Sequence, residues 1–162
     1  MHDESVVELQ KRAKRGDAHA QYSLGIRFAN GEGVVADSFE ARRMYLAAAK
    51  QCHPDAAFNL AAMLLHGEGG EQDLSRALRW FHRASGFGSS DATIWLGESS
   101  LSGSEFREAL KYFGTAMMQG DVRALRGVGL VLSDVNCDVP SSEAGKILLD
   151  TFHGHGEVTR RE

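Results

Sequence analysis

Seven histidines, two cysteines and two Gly-x-Gly turns are the residues in this chain that chemistry could use. No two histidines stand four apart, so no helix face offers the paired imidazoles of a zinc hydrolase. His153-Gly154-His155 brings two imidazoles close, but flanking glycine in a terminal stretch reads as a frayed tail rather than a metal site. Cys52 and Cys137 lie 85 residues apart, form no CxxC and have no second close ligand, so neither a zinc site nor a disulfide is expected. Gly31-Glu32-Gly33 and Gly67-Glu68-Gly69 could cradle a phosphate. No strand precedes them and no Lys-Ser/Thr follows, so they read as structural turns. HExxH, GxSxG and SxxK are absent, and the acids are scattered over turns and caps. The sequence therefore predicts no catalytic residue, no metal and no cofactor.

The elements that hold these residues follow from composition and spacing. The chain has 162 residues, the length of one domain. It is 43% apolar and 25% charged, ordinary for a globular protein. Its 18 basic and 22 acidic residues leave a net charge of −4, which points away from nucleic acid. The longest apolar stretch, Leu60 to Leu65, is too short to cross a membrane. Met1-His2-Asp3-Glu4 lacks the basic and apolar regions of a signal peptide. Together with two thiols suited to a reducing compartment, this predicts a cytoplasmic protein.

An internal repeat organises the whole chain. Leu24, Leu60 and Leu96 are spaced by 36, as are Ala20, Ala56 and Ala92. Residues 20–55 and 56–91 share ten identities, against about two expected by chance for such a composition. In the third copy Ala109, Tyr112, Phe113 and Ala116 follow Ala77, Trp80, Phe81 and Ala84 by 32, because the Gly-x-Gly segment is shortened by four. A fourth copy starts at Ala124, with Val128-Gly129 in the Leu24-Gly25 place and a second half from Ala144 to Phe152. Each copy reads as two helices. Ala20, Leu24 and Phe28 recur at four-residue steps on one face. Gly31 then stops the helix, and Asp37 with Glu40 forms a capping box for the next. Small residues let the helices approach, while Leu24, Phe28 and Tyr45 fill the space between them.

These strings resemble the Sel-1-like repeat family, relatives of the tetratricopeptide repeats. The first copy carries Ala18-His19-Ala20-Gln21-Tyr22-Ser23-Leu24-Gly25, Gly31-Glu32-Gly33-Val34, Asp37, Ala41, Tyr45 and Ala47-Ala48. The second carries Ala56-Ala57-Phe58-Asn59-Leu60, Gly67-Glu68-Gly69, Asp73, Ala77, Trp80-Phe81 and Ala84. The third lacks the Gly-x-Gly loop and the fourth is degenerate. The resemblance implies an all-α fold, a right-handed α-α superhelix of about nine helices in antiparallel pairs. Residues 1–16 would form a capping helix and 17–152 the solenoid, in units of about 17–52, 53–88, 89–120 and 121–152. Residues 153–162 would be a flexible tail. It also implies a non-catalytic adaptor or scaffold, mostly bacterial, that binds a partner protein or peptide. An inhibitor that neutralises a toxin or enzyme and a self-assembling scaffold are the alternatives, and nothing in the chain supports a hydrolase.

In such solenoids the first helix of each pair lines a concave groove. The register places Tyr22 and Ile26, Phe58 and Ala62, Ile94 and Glu98, and Arg126 and Leu130 along it, with Trp95 beside them. The second helices carry Arg42, Arg43, Arg76, Arg79, Arg83, Arg107 and Lys111, a basic convex ridge that reads mainly as a solvated face. Ile147, Leu148, Leu149 and Phe152 make the last helix apolar on more than one side, which predicts docking on a partner or a homodimer through the C-terminal helix.

Overall fold

Asp17 and Asp37 begin helices for the reason their spacing suggests: each carboxylate accepts the N–H three residues on, Ala20 at 3.0 Å and Glu40 at 3.0 Å. Asp73 does the same for Arg76 at 2.7 Å. Gly31 and Gly67 end the preceding helices in the left-handed conformation, each with φ 75°, which only glycine adopts without cost. The computed structural model describes residues 5–134 and 136–156, with side chains through Thr151. Over these residues it holds nine helices: α1 Val6–Lys14, α2 Ala18–Asn30, α3 Ser38–Ala49, α4 Pro54–His66, α5 Leu74–Gly86, α6 Ser90–Ser102, α7 Phe106–Met118, α8 Arg123–Ser133 and α9 Ser141–Gly156. The fold class is all-α, a helical repeat. α9 continues past Phe152, so the first residues of the expected tail are helical. The side chains of Phe152, His153 and His155 lie outside the described residues.

The chain divides into two compact units, Met1–Ser89 and Ser90–Glu162. In the first, α1 packs on α2, and α2/α3 and α4/α5 form successive pairs. Their inner positions are small or apolar: Ala20, Leu24, Ala41, Tyr45, Ala48, Leu60, Ala61, Ala77 and Phe81 are buried. Gly25 is required by contact, since a β-carbon there would lie 2.7 Å from the Tyr45 ring. Gly69 is required by backbone approach, because a β-carbon would overlap the Ser38 carbonyl at the start of α3. That close pass accounts for the second glycine of this Gly-x-Gly, as the helix stop accounts for the first.

In the second unit, α6 pairs with α7, and α7 packs on both α8 and α9. Phe113 is 1% exposed and is the centre of this core. A β-carbon at Gly97 would lie 2.7 Å from its ring, and one at Gly127 would overlap it. The fourth repeat buries Ala124 but does not enclose the next register places. Val128 is half-buried and Gly129 exposed, whereas Ala124, Gly127 and Val131 face inward. α9 lies on α7, with Leu148 and Thr151 over Gly114.

Candidate interaction surfaces

Each repeat begins at a cap, and the caps shape the surfaces beside them. Asp17 accepts from Ala20 and takes a forked pair of bonds from Arg12, 2.9 Å from Nε and 2.6 Å from Nη2. The Ala20 N–H, then Arg12, hold its carboxyl below the usual range. Thirty-six residues on, His53 has the same post for α4. It is 7% exposed, and its Nδ1 accepts the Ala56 N–H at 3.3 Å. An accepting Nδ1 carries no proton, so Nε2–H donates to His19 Nδ1, 3.2 Å away. The Tyr22 ring stacks on His53 at 4.5 Å. Burial, then the neighbouring His19, lowers the His53 pKa, while Asp55 opposes the shift. Sequence reasoning missed this cluster, because histidine is an uncommon cap and the three residues are joined only by the repeat. The signal was the shared register of Asp17 and His53.

The predicted binding residues of the first unit are half-buried. Tyr22 stands 6.1 Å from Tyr45, and Phe58 meets Phe81 edge-on at 5.7 Å. Both rings therefore pack within their repeats while keeping part of their surface open, as does Ile26. Burial pushes the Tyr45 phenol up to about 12, against its hydrogen bond to Asn59. Gln21, also buried, ties α2 to α1 and to the turn after α3: its amide donates to the Ala13 carbonyl at 3.2 Å and its oxygen accepts from Gln51 at 2.8 Å.

In the second unit the predicted residues separate. Ile94 is 8% exposed and belongs to the core with Phe106, Leu110 and Phe113, so it is not a surface residue. Phe106 occupies the register place of the exposed Leu74, and its burial in that cluster accompanies the change at Ile94. Trp95 is half-buried; Glu98, Arg126 and Leu130 are exposed, the last two one turn apart on α8. Close by, Arg123 bridges Asp91 and Asp121 at 2.5 Å each, and this guanidinium holds the Asp121 carboxyl far below the usual range.

Four of the seven basic residues of the expected ridge are paired with carboxylates. Arg43 pairs with Glu40, Arg76 with Asp73, Lys111 with Glu108 and Arg107 with Glu143. Arg83 lies over the Trp80 ring at 4.5 Å, and Arg42 donates to the Glu71 carbonyl across Gly70. Phe39, Arg42, Arg43, Leu46 and Arg76 border a cleft of about 410 Å³. Both cysteines are free thiols, Cys52 exposed and Cys137 half-buried. Among the described residues no three His, Cys, Asp or Glu side chains are grouped to hold a metal, and no helix is long and apolar enough to cross a membrane.

Paired helices, left-handed glycine caps and small residues facing rings define a tandem helical-repeat protein. Residues 18–51 and 54–85 each match the Sel1 repeat, and the chain belongs to the Sel1-like repeat proteins. Sel1 repeats generally mediate protein–protein interaction. A Sel1 repeat protein from Oxalobacter formigenes superposes with TM-score 0.72 at 26% identity, over 93% of this chain and 63% of its own. A protective antigen of uropathogenic Escherichia coli with an SLR fold gives TM-score 0.72 at 25% identity, over 90% of this chain and 32% of that one. Among curated proteins, an exopolysaccharide production negative regulator of Rhizobium leguminosarum bv. viciae is 29% identical over 150 residues, covering 82% of this chain and 56% of the relative. An ERAD-associated E3 ubiquitin-protein ligase component, HRD3B of Arabidopsis thaliana, is 32% identical over 83 residues, covering 51% of this chain and 14% of that protein. The chain thus spans little more than half of the first relative and a small part of the second.

Proposed function

We propose that this protein is a non-catalytic adaptor whose first helices bind a partner protein or peptide. The observation that carries this reading is the half-open state of Tyr22, Ile26 and Phe58 in the first unit. Large apolar side chains held by their own repeat, yet partly accessible, offer rigid contact area at little entropic cost. In the second unit, taken by itself, Trp95, Glu98, Arg126 and Leu130 would be the contact residues. The relatives named as a negative regulator and a ligase component are compatible with a role that works by binding. Two free thiols favour the cytoplasm as its compartment.

The test is a tagged pull-down from the native cell compared with a doubly substituted protein, Ile26→Asn with Glu98→Arg. Circular dichroism and melting must first show that the variant is folded. A dominant protein captured by the wild type and lost by the variant supports binding through the first helices. A dominant protein retained by the folded variant overturns it and moves the site to the second helices, where Phe39 and Arg42 border the cleft.

A further inference from the structure

The second helices carry one charge that their register does not call for. Val6, Arg42 and Leu78 are spaced by 36, and Leu110 follows by the 32 of the shortened third copy. Arg42 is thus the one charged residue in an otherwise apolar place. It is half-buried, yet among the described residues it forms no ion pair. Its Nη1 donates to the Glu71 carbonyl at 3.2 Å, and the rest of its fork meets no described acceptor. The loop makes room for it. Gly70 stands where the first loop has Val34, and a β-carbon there would lie 2.6 Å from Arg42 Nη1. Two departures from the repeat, an arginine for an apolar residue and a glycine for a valine, therefore meet at one point. That point lines the cleft of about 410 Å³. Phe39 and Leu46 lie three residues before and four after Arg42, on the same face of α3. Phe39 is 65% exposed and Leu46 half-buried.

We propose that this cleft binds an acidic, extended segment of a partner protein. A carboxylate of the segment takes the open edge of the Arg42 guanidinium, and a neighbouring apolar side chain lies against Phe39 and Leu46. The charges favour that occupant. Arg43 and Arg76, which also line the cleft, each have a carboxylate three residues away, Glu40 and Asp73. Asp73 accepts the Arg76 N–H as well. Glu71 is exposed and pairs with none of the three arginines. The unmatched charge is therefore that of Arg42, partly withdrawn from water beside apolar surface, a state that an anion relieves. Phe39 and Leu46 ask for apolar groups on the same ligand, which a bare anion lacks. A concave cleft takes a chain, whereas a flat lipid surface would leave it empty. The guanidinium is already held by Glu71 over the Gly70 backbone, so it loses little freedom when the segment binds. The site lies on a second helix and goes beyond the reading given for the first helices.

Random displayed peptides, selected on the wild-type protein and depleted on Arg42→Leu, test the proposal. Leucine is the residue that the register puts there, so circular dichroism should show the variant folded. The selected sequences are expected to carry Asp or Glu beside an aromatic or aliphatic residue. One of them, synthesised, should shift the NMR signals of residues 39–46 and 69–76. Its affinity should fall about tenfold or more in Arg42→Leu, and as much when its acids are replaced by amides. Phe39→Ser, at an exposed position, should weaken it too and gives a second variant that leaves the arginine in place. A selection that returns no peptide dependent on Arg42 overturns the proposal. So do selected peptides without acids, or shifts that fall on the first helices instead. A lower melting temperature for Arg42→Leu with no peptide selected would make the arginine a staple for the loop and nothing more. The Ile26→Asn, Glu98→Arg protein keeps this cleft and Arg42→Leu keeps the first helices, so the two readings fail separately.

Discussion

The first-unit repeats and the last repeat of the second unit are built from the same register, yet only the former close on themselves. In α2/α3 a small residue on the first helix meets an aromatic ring on the second, Gly25 under Tyr45. In α8/α9 the equivalent Gly129 meets nothing, and α9 lies on α7 instead. The difference lies in the ring. The last helix offers Leu148 where Tyr45, Phe81 and Phe113 stand in the others, and Leu148 rests on Gly114. A repeat of this kind is held less by helix propensity than by one ring seated on one bare stretch of backbone.

Removing a ring should therefore cost the most. Phe113→Ala would empty the space between Gly97 and Gly127 and lose about 3–5 kcal/mol, read by urea denaturation. A smaller loss would mean that α8 collapses onto α7 and fills the cavity. The glycines test the comparison from the other side. Gly97→Ala forces a methyl to within 2.7 Å of the Phe113 ring and should cost about 1–3 kcal/mol. Gly129→Ala meets open space and should gain about 0.5–1 kcal/mol in the monomer, because alanine is the better helix former. Equal effects from the two would break the distinction between closed and open repeats. Measurement at low protein concentration keeps dimerisation out of the result.

A finer difference lies in the turns between repeats. Gly16, Cys52, Gly88 and Gly120 hold one register place, and all four have positive φ. Cys52, with φ 63°, is the only one with a side chain to strain it. Cys52→Gly should raise stability by about 1 kcal/mol, visible as a higher melting temperature. A neutral result would show that the Cys52 side chain returns in contacts what its backbone loses.

The repeat period made the pairing of α2 with α3 and of α4 with α5 legible in the sequence, along with the Asp37 and Asp73 caps and the Gly31 and Gly67 stops. These are local events, decided within a few residues, and they recur. The facing of Ile94 was not legible. Tyr22 and Phe58 at its register place remain partly open, and whether a shorter side chain sinks depends on which neighbours, here Phe106 and Leu110, share its core. The placing of α9 was hidden for the same reason: its alanine and leucine fit a second helix, and only packing decides which first helix it covers. The His19–His53–Tyr22 cluster needed both the repeat and the cap geometry, since no single motif contains it.

The smallest predicted effect separates two caps of equal register by pH. Asp17 and His53 both accept an N–H three residues on, one as a carboxylate and the other as an unprotonated imidazole nitrogen. The groups identified around the His53 ring are His19, Tyr22 and Asp55. Its pKa is lowered on folding, by burial first and then by His19, so the unfolded chain takes up the proton before the folded one does. The stability it contributes is whole above the ordinary imidazole value, about 6.5, and falls as pH drops below it. Asp17, held below the usual carboxylate value, keeps its contribution through that range and loses it only in stronger acid. Melting temperatures between pH 7.5 and 5.5 should therefore fall further for the wild type than for His53→Asp, which moves the loss to the range of Asp17. Parallel curves for the two proteins would show that the bond from the Ala56 N–H to His53 adds nothing to stability, or that His19 turns away to admit the charge.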